Sequence, residues 1–576
     1  MKHLHTTLES AMKVLKVLAI AALCLIIHVP FADATTYYVS SSQGSDTNNG
    51  TSSSTPWQTL SNVYYHSFGG RAYHPGDSIL LKSGDSFDGP LTVNQGGSNG
   101  SPIIISSYGI GARPIIYGDH PSAVWSLYTN TITNTGIYSA QLGSGGDIAV
   151  SAVFDINGAQ YTNSAQGART LSNWLDTFTN YNWGTDSGVN VYVKTPDGNP
   201  PPQMHVMENA TIKMSGAYHV ILNLQVCHGG TGIGFGGAGN LISNNLVHDG
   251  FGTGIYANAA TYSEIVSNSI TNNGYTMIYL VGGGSNWCHF NTGISNGLVI
   301  MNNVHLAAGR DTSGVGMDGS SNNIVEYNYF AYMNQAFFDF YYEANSEVRY
   351  NCGFHANTGA SPSGTGLKVH HNIFDLDGAG SGIKGGYAYL PGTSPAMGPT
   401  GNVIVYNNVI YNIGGSGQLV YTGNGVSNIV FRNNIFVTTN TASIMASVYA
   451  GTDMDYNLYY CTSGAPKQWS WNGAREATFA NFQAASGLEA HGMYSNPQFV
   501  SANPVNTADF MIKSSSPCLF AGQNLMNAGL LVSLLAPTGG YVDYLGAFIP
   551  QGAAPSIGAY EKIGPPAPPT DLHIVP

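Results

Sequence analysis

Four ionisable residues in the middle of the chain have the types and spacing needed for acid–base chemistry. Asp318, Asp339 and Glu343 supply carboxylates within one short stretch, and Lys384 follows further along the chain. A pair of carboxylates can cleave a glycosidic bond, and the distance between them decides whether the configuration is retained or inverted. A lysine base combined with carboxylate-bound Ca²⁺ is instead suited to β-elimination from a uronate sugar. These residues therefore leave hydrolysis and elimination open as catalytic chemistries.

A second set of residues has the chemistry of substrate binding. Tyrosine rings can stack on the flat faces of sugars, and arginine or aspartate can hold hydroxyl or carboxylate groups. Arg310 and Asp311 can equally pair with each other in a structural role. The predicted substrate-binding residues are Tyr256, His305, Arg310, Asp311 and Tyr341.

The rest of the sequence carries very little charge. Only 9% of the 576 residues are Asp, Glu, Lys or Arg, against about 25% in an ordinary soluble domain. Helical bundles need charged solvent faces, so this composition disfavours them. Disorder is excluded by the 43% hydrophobic and 11% aromatic residues. A net charge of −13 argues against nucleic-acid binding.

The elements that must position these residues repeat along the chain. An apolar alternation followed by Asn recurs at Asn244, Asn268, Asn302 and Asn328 and continues to about Tyr460. A period in the twenties with strand-like alternation predicts stacked β-coils. Equivalent Asn side chains would then form hydrogen-bonded ladders from coil to coil.

The second short strand of each coil places the candidate residues. Alternation puts Tyr256, Asp318, Asp339 and Lys384 on one outer face. Asp318 and Asp339 fall on neighbouring coils, which predicts carboxylates about 5 Å apart and a retaining hydrolase. Carboxylates two coils apart, at about 9.6 Å, would favour inversion. The alternative for Asp318, which precedes Gly319, is a role in closing a turn.

The chain resembles the right-handed parallel β-helix proteins of the pectate-lyase-like superfamily. The resemblance rests on the Asn repeats, on TYYVSSSQGSDTNNGTSSSTPWQTLSNV and HPGDSILLKSGDSFDGPL near the N-terminus, and on NPQFVSANPVNTADFMIKSSSPCLFAGQ and PSIGAYE near the C-terminus. It implies an all-β fold, a single right-handed parallel β-helix with an N-terminal cap and an early β-rich insertion. This superfamily hosts lyases, hydrolases, epimerases and non-catalytic proteins, and the Gly-His-Gly, Trp-x-Asp-His and Asp-Pro-His-Asp motifs of its well-known enzymes are missing. The resemblance therefore implies the fold and not the reaction.

Composition shifts divide the chain into six segments. An apolar run from Val17 to Val29 after Lys13 and Lys16, followed by Ala32-Asp33-Ala34, is typical of a secretory signal peptide and predicts a secreted protein. No later stretch is expected to span a membrane. The predicted segments are 1–34 signal peptide, 35–124 cap and first coils, 125–205 insertion, 206–460 central coils, 461–563 closing coils and 564–576 Pro-rich tail.

The sequence therefore predicts a secreted, monomeric protein that degrades an extracellular polysaccharide. Glycoside hydrolysis by an Asp/Glu pair is favoured over a Ca²⁺-assisted lyase reaction with Lys384 as the base. The alternative of another class is a non-catalytic glycan-binding or cell-surface module. No nucleic-acid partner is expected.

Overall fold

The computed structural model describes residues 34–561 except for several short gaps. The gaps are 121–122, 132, 143–149, 156–159, 165–169, 187–189, 202–203, 296–297, 302–303, 308–311, 377–386, 390–399, 415–416, 465–467, 531–541 and 551. Within the described residues, no helix is long and apolar enough to cross a membrane.

The first part of the fold is six short strands and one helix. Helix α1 (Leu60–Phe68) buries Leu60 and Val63 in the core at the end of the strand stack. The strands are β1 (Thr36–Val39), β2 (Ser78–Lys82), β3 (Ser86–Asp88), β4 (Leu91–Val93), β5 (Ile103–Tyr108) and β6 (Ile115–Tyr117).

A separate β-rich unit then interrupts the stack. It has its own apolar cores, which include Tyr138, Trp174 and Trp183. Its elements are β7 (Ser126–Leu127), β8 (Ile137–Gln141), β9 (Val150–Asp155), β10 (Thr162–Asn163), α2 (Leu171–Leu175), β11 (Asn182–Thr185), β12 (Asn190–Lys194) and β13 (Met204–Glu208). This unit occupies the region where the sequence predicts the insertion.

The stacked coils resume after β13 and make up the centre of the chain. Their strands are β14 (Ile212–Met214), β15 (His219–Leu222), β16 (Gln225–Cys227), β17 (Thr231–Ala238), β18 (Leu241–Ser243), β19 (Leu246–His248), β20 (Thr253–Thr261), β21 (Glu264–Val266), β22 (Ser269–Thr271), β23 (Ile278–Val281), β24 (Trp287–His289), β25 (Thr292–Ile294), β26 (Leu298–Met301), β27 (Val304–Ala307), β28 (Val315–Asp318), β29 (Ile324–Glu326), β30 (Tyr329–Tyr341), β31 (Glu343–Ala344), β32 (Glu347–Arg349), β33 (Cys352–Ser361), β34 (Gly364–Thr365), β35 (Lys368–His370), β36 (Ile373–Leu376), β37 (Tyr387–Tyr389), β38 (Gly401–Tyr406), β39 (Val409–Asn412), β40 (Gln418–Tyr421), β41 (Ser427–Arg432), β42 (Ile435–Thr438), β43 (Ile444–Val448), β44 (Thr452–Asp455) and β45 (Leu458–Cys461).

The C-terminal part closes the stack. Phe482, which belongs to the last α-helix, is fully buried in the main core. Phe510 lies in a second core against the last coils. The elements are β46 (Gln468–Trp471), β47 (Ala474–Glu476), α3 (Phe479–Ser486), β48 (Met493–Tyr494) and a 3₁₀ turn (Thr507–Phe510).

Parallel pairing between successive coils builds three ladders of strands. The first ladder runs through β15, β18, β21, β24, β29, β32 and β35, and the second through β16, β19, β22, β25 and the start of β30. The third ladder runs through β14, β17, β20, β23, β28 and the end of β30. This arrangement confirms the predicted right-handed parallel β-helix.

A buried ladder of asparagines lies at the two-residue turn between the first and second ladders. The backbone N–H of each Asn donates to the side-chain oxygen of the next, at distances such as 3.0 Å from Asn245 to Asn268. The rungs are Asn245, Asn268, Asn291, Asn328, Asn351, Asn372, Asn408, Asn434 and Asn457. Repetition of buried Asn therefore stabilises the stack, as the sequence predicts.

Three details of the repeat differ from the sequence interpretation. The rung of the coil at β18 and β19 is Asn245 and not Asn244, whose side-chain amide donates instead to Asn223 at 2.7 Å. The phrase around Asn302 is not a coil, because β26 and β27 pair antiparallel as a hairpin. The coil at this position uses Asn291 instead.

The five cysteines of the described region, Cys227, Cys288, Cys352, Cys461 and Cys518, are free and buried.

Candidate active site

The outer face of the third ladder carries the candidate residues in two adjacent columns. Strand pairing aligns Tyr256, Tyr279, Gly316 and Asp339 in one column. The neighbouring column, two residues further along each strand, contains Asn258, Val281, Asp318 and Tyr341. The residues between the two columns, such as Met317 and Phe340, are buried and point their side chains into the core. Alternation thus places both aspartates on the predicted face.

Asp318 ends β28 and is partly exposed. The hydroxyl of Tyr279 donates to its Oδ2 at 3.3 Å. Gly316 makes this contact feasible, because a Cβ at that position would lie 2.8 Å from Cδ2 of the Tyr279 ring. Burial and the neighbouring carboxylate of Asp318 raise the pKa of Tyr279, so its hydroxyl stays protonated and remains a donor.

Tyr279 was not among the predicted site residues, although the sequence contains a signal for it. It occupies the same strand position as Tyr256 one coil earlier, and the two rings lie 5.9 Å apart. The signal in the sequence is that an outward-facing tyrosine recurs at the same strand position in two successive coils. Tyr256 and Tyr279 together form an aromatic surface that leads up to the aspartates.

Asp339 is more buried than Asp318, with 6% of its surface exposed. The hydroxyl of Tyr341, two residues later on the same face, donates to its Oδ2 at 2.8 Å. Burial and the Asp339 carboxylate raise the pKa of Tyr341. Tyr341 therefore orients Asp339, while its position on the outer face is compatible with the predicted contact to substrate.

The strand register changes the predicted separation of the two aspartates. Asp318 pairs with Tyr341, and Asp339 pairs with Gly316, so the two carboxylates are diagonal neighbours. One inter-strand step combined with two residues along the strand gives a Cα separation of about 8 Å. The predicted spacing of about 5 Å is wrong for this reason. Side chains on one face of a sheet project roughly parallel to each other, so we expect a carboxyl separation close to this Cα separation. A separation of about 8 Å is within the range of about 6.5–9.5 Å that accommodates a water between two carboxyl groups.

Glu343 begins β31, the short strand that follows the third ladder, and its side chain is buried. Its carboxylate accepts hydrogen bonds from Ser320 at 2.7 Å, from Asn323 at 3.0 Å and from Ser346, and 1% of the residue is exposed. Burial raises its pKa, and the three donors partly oppose this effect. These contacts give Glu343 the geometry of a structural rung rather than of a group that meets substrate.

The remaining predicted residues fall outside the described part of the chain. Arg310, Asp311 and Lys384 are not described, and the His305 backbone belongs to the β26–β27 hairpin without a described side chain. Among the described residues, no group of three or more His, Cys, Asp or Glu side chains is arranged to hold a metal.

Comparison with known proteins agrees with the fold. Residues 210–374 match the family model described as the right handed beta helix region. A stretch of 80 residues, 14% of this chain, is 42% identical to the lacto-N-biosidase of Bifidobacterium longum subsp. longum. That match spans only 5% of the length of the lacto-N-biosidase.

Two solved structures have a similar backbone. The complex of XylC with xylose has a TM-score of 0.50 at 13% identity, and the alignment covers 92% of this chain and 99% of that one. The pectate lyase Pel9A has a TM-score of 0.44 at 16% identity, with 92% and 98% of the two chains covered. At 13% identity the likeness to XylC concerns the fold alone.

Proposed function

We propose that this protein is a glycoside hydrolase that cleaves an extracellular oligo- or polysaccharide on the outer face of the third ladder. The observation that carries the proposal is the pair of aspartates, each held by a tyrosine hydroxyl, at the end of an aromatic surface. The short match to a lacto-N-biosidase supports hydrolysis rather than elimination. The predicted signal peptide supports action outside the cell.

The two aspartates differ in ways that assign them different roles. Asp339 is the more buried of the two and is oriented by the hydroxyl of Tyr341, so we assign it as the acid that protonates the glycosidic oxygen. Asp318 is more exposed, and we assign it as the base that activates water. Tyr256 and Tyr279 supply the surface on which neighbouring sugar rings stack.

The test is hydrolysis of a panel of oligo- and polysaccharides by purified protein, measured as new reducing ends. Asp318→Asn and Asp339→Asn are each expected to lower kcat by about 10²–10⁴-fold, the usual contribution of a general acid or base. Asp197→Asn, the same change at a fully exposed loop position, is the matched control and should leave kcat unchanged. Full activity in both site variants would refute the assignment.

The configuration of the first product tests the pairing separately. A separation of about 8 Å predicts inversion, which proton NMR of the fresh product detects. Retention of the anomeric configuration would exclude Asp339 and Asp318 as the acid and base of an inverting hydrolase. If Asp311→Asn then abolished kcat without changing KM, the second carboxylate role would pass to Asp311, which the sequence places in the same coil as Asp318.

A further inference from the structure

The outer side of the first ladder carries a second group of exposed aromatic rings. Tyr262 and Trp287 are 74% and 42% exposed. Tyr262 lies in the turn that enters β21, and Trp287 lies at the start of β24, one coil further on. One strand spacing and two residues therefore separate Trp287 from the Tyr262 position across the sheet. The proposed catalytic face uses neither residue.

A cleft adjoins the first of these rings. It has a volume of about 400 Å³ and is bordered by Tyr218, Tyr262 and the loop of Asn99 and Gly100. Tyr218 and Tyr262 occupy the same turn position two coils apart, with Gly239 between them. A Cβ at Gly239 would lie 2.6 Å from the Tyr218 ring, so a side chain at this position would fill the space between the two tyrosines. The volume is within the range of small-ligand sites.

The Trp287 ring is held in a fixed orientation. Its Nε1 donates to Glu326 at 2.9 Å, and one face stacks on His289 at 3.9 Å with planes 12° apart. His289 Nε2 in turn lies 2.7 Å from Glu264 Oε1. A flat ring that is already immobilised loses little conformational entropy when a ligand stacks on it. Glu264 stands between the two exposed rings, and 41% of its side chain is accessible.

This combination favours a sugar chain over other ligands. The accessible carboxylate of Glu264 lies between Tyr262 and Trp287, which suits the hydroxyl groups of a sugar chain better than the apolar centre of a protein interface. Carboxylates at the surface and a chain charge of −13 disfavour polyanions. We propose that Tyr218, Tyr262 and Trp287 form a non-catalytic binding surface for a neutral polysaccharide.

The test is affinity electrophoresis of the full chain in gels that contain a neutral glucan, galactan, xylan or mannan. Parallel gels contain the anionic polymers polygalacturonate and alginate. Asp318→Asn is used as the parent so that no polymer is cleaved. At least one neutral polymer should retard this parent, and Trp287→Ala should weaken the retardation at least fivefold.

Two further variants separate binding from folding. Tyr262→Asn introduces the residue found at equivalent left-handed turn positions in later coils, such as Asn322 and Asn402, and should also weaken retardation at least fivefold. Phe548→Ala, which removes an exposed ring in the C-terminal part of the chain, is the control and should change nothing. Thermal unfolding confirms that each variant is folded.

The outcomes distinguish this surface from the proposed catalytic activity. Retardation that persists in Trp287→Ala and Tyr262→Asn, retardation by the anionic polymers alone, or retardation by none of the six polymers would overturn the proposal. Self-association that Trp287→Ala abolishes in sedimentation would assign the surface to a second copy and overturn it as well. Because binding is measured without turnover, a failure of hydrolysis leaves this result unaffected.

Discussion

The buried carboxyl group of Glu489 provides a quantitative test of how the asparagine ladder ends. Glu489 Oε2 accepts the backbone N–H of Asn457, the last Asn rung, at 3.3 Å. Its Oε1 accepts the side chain of Asn457 at 2.7 Å and the hydroxyl of Tyr459 at 2.8 Å. Burial without a cation raises the pKa of this carboxyl from 4.5 to about 7, against the effect of these donors.

The raised pKa makes stability depend on pH in a defined direction. Between pH 4.5 and pH 7 the folded protein keeps the Glu489 proton while the unfolded chain releases it, so stability falls as pH rises. Below this window the stabilisation is fully present. Across pH 5 to pH 8 the loss from this group is about 2–3 kcal/mol, because one pKa unit corresponds to about 1.4 kcal/mol.

The perturbation is Glu489→Gln, which keeps an acceptor oxygen for Asn457 and Tyr459 but cannot ionise. The assay is urea unfolding of wild type and variant at pH 5 and pH 8. The stability difference between the two pH values should be about 2–3 kcal/mol smaller in Glu489→Gln than in wild type. Glu476→Gln, which lies near the surface, is the matched control and should behave as wild type. An identical pH dependence in wild type and Glu489→Gln would refute the reasoning.

Two other substitutions test the site and the ladder. Gly316→Ala places a Cβ 2.8 Å from the Tyr279 ring and should break the hydrogen bond to Asp318, lowering kcat about tenfold, as expected for about 1.4 kcal/mol of lost positioning, while the protein stays folded. Measured kcat equal to wild type would show that Tyr279 does not position Asp318. Asn328→Ala removes a rung that bonds Asn291, Cys288 and Asn351, and should lower the free energy of unfolding by about 3 kcal/mol because buried polar groups lose partners. The exposed Asn503→Ala is its control, and equal losses in both variants would contradict a special role for the ladder.

The sequence predicts the face of each candidate residue better than its place on that face. Alternation correctly put Asp318 and Asp339 outward, because inward positions such as Met317 and Phe340 must be apolar. A shift of two residues leaves that alternation unchanged, so the sequence pattern does not reveal it. The diagonal offset of the aspartates follows from the pairing of Val315 with Phe338, which only the three-dimensional structure shows.

The repeat was predictable where apolar strands flank the asparagine and not elsewhere. The coil at Asn291 follows Trp287, Cys288 and His289, which lack the Ile and Val residues of its neighbours, and it was therefore missed. The strand-like alternation around Asn302 predicts a coil where the structure has a hairpin, since alternation does not distinguish parallel from antiparallel pairing.

In a chain with so few charges, hydrogen-bond saturation separates structural charges from candidate catalytic ones. On the first ladder, Arg349 donates to Glu326 and Glu347, each at 2.6 Å, and Glu347 also lies 2.9 Å from His370. These contacts hold the pKa of Glu347 well below its usual range and link three successive coils.

Asp318 differs from that network, because the hydroxyl of Tyr279 is its side-chain partner among the described residues, at 3.3 Å. A carboxylate offers about four acceptor positions, so most of the capacity of Asp318 is left for water or a sugar hydroxyl. The acceptor positions of Glu347 are occupied by contacts to Arg349 and His370, which join neighbouring coils. The carboxylate of Asp318, in contrast, lies at the surface beside two tyrosine rings. This contrast, more than the presence of charge, is why the third ladder and not the first is assigned the chemistry.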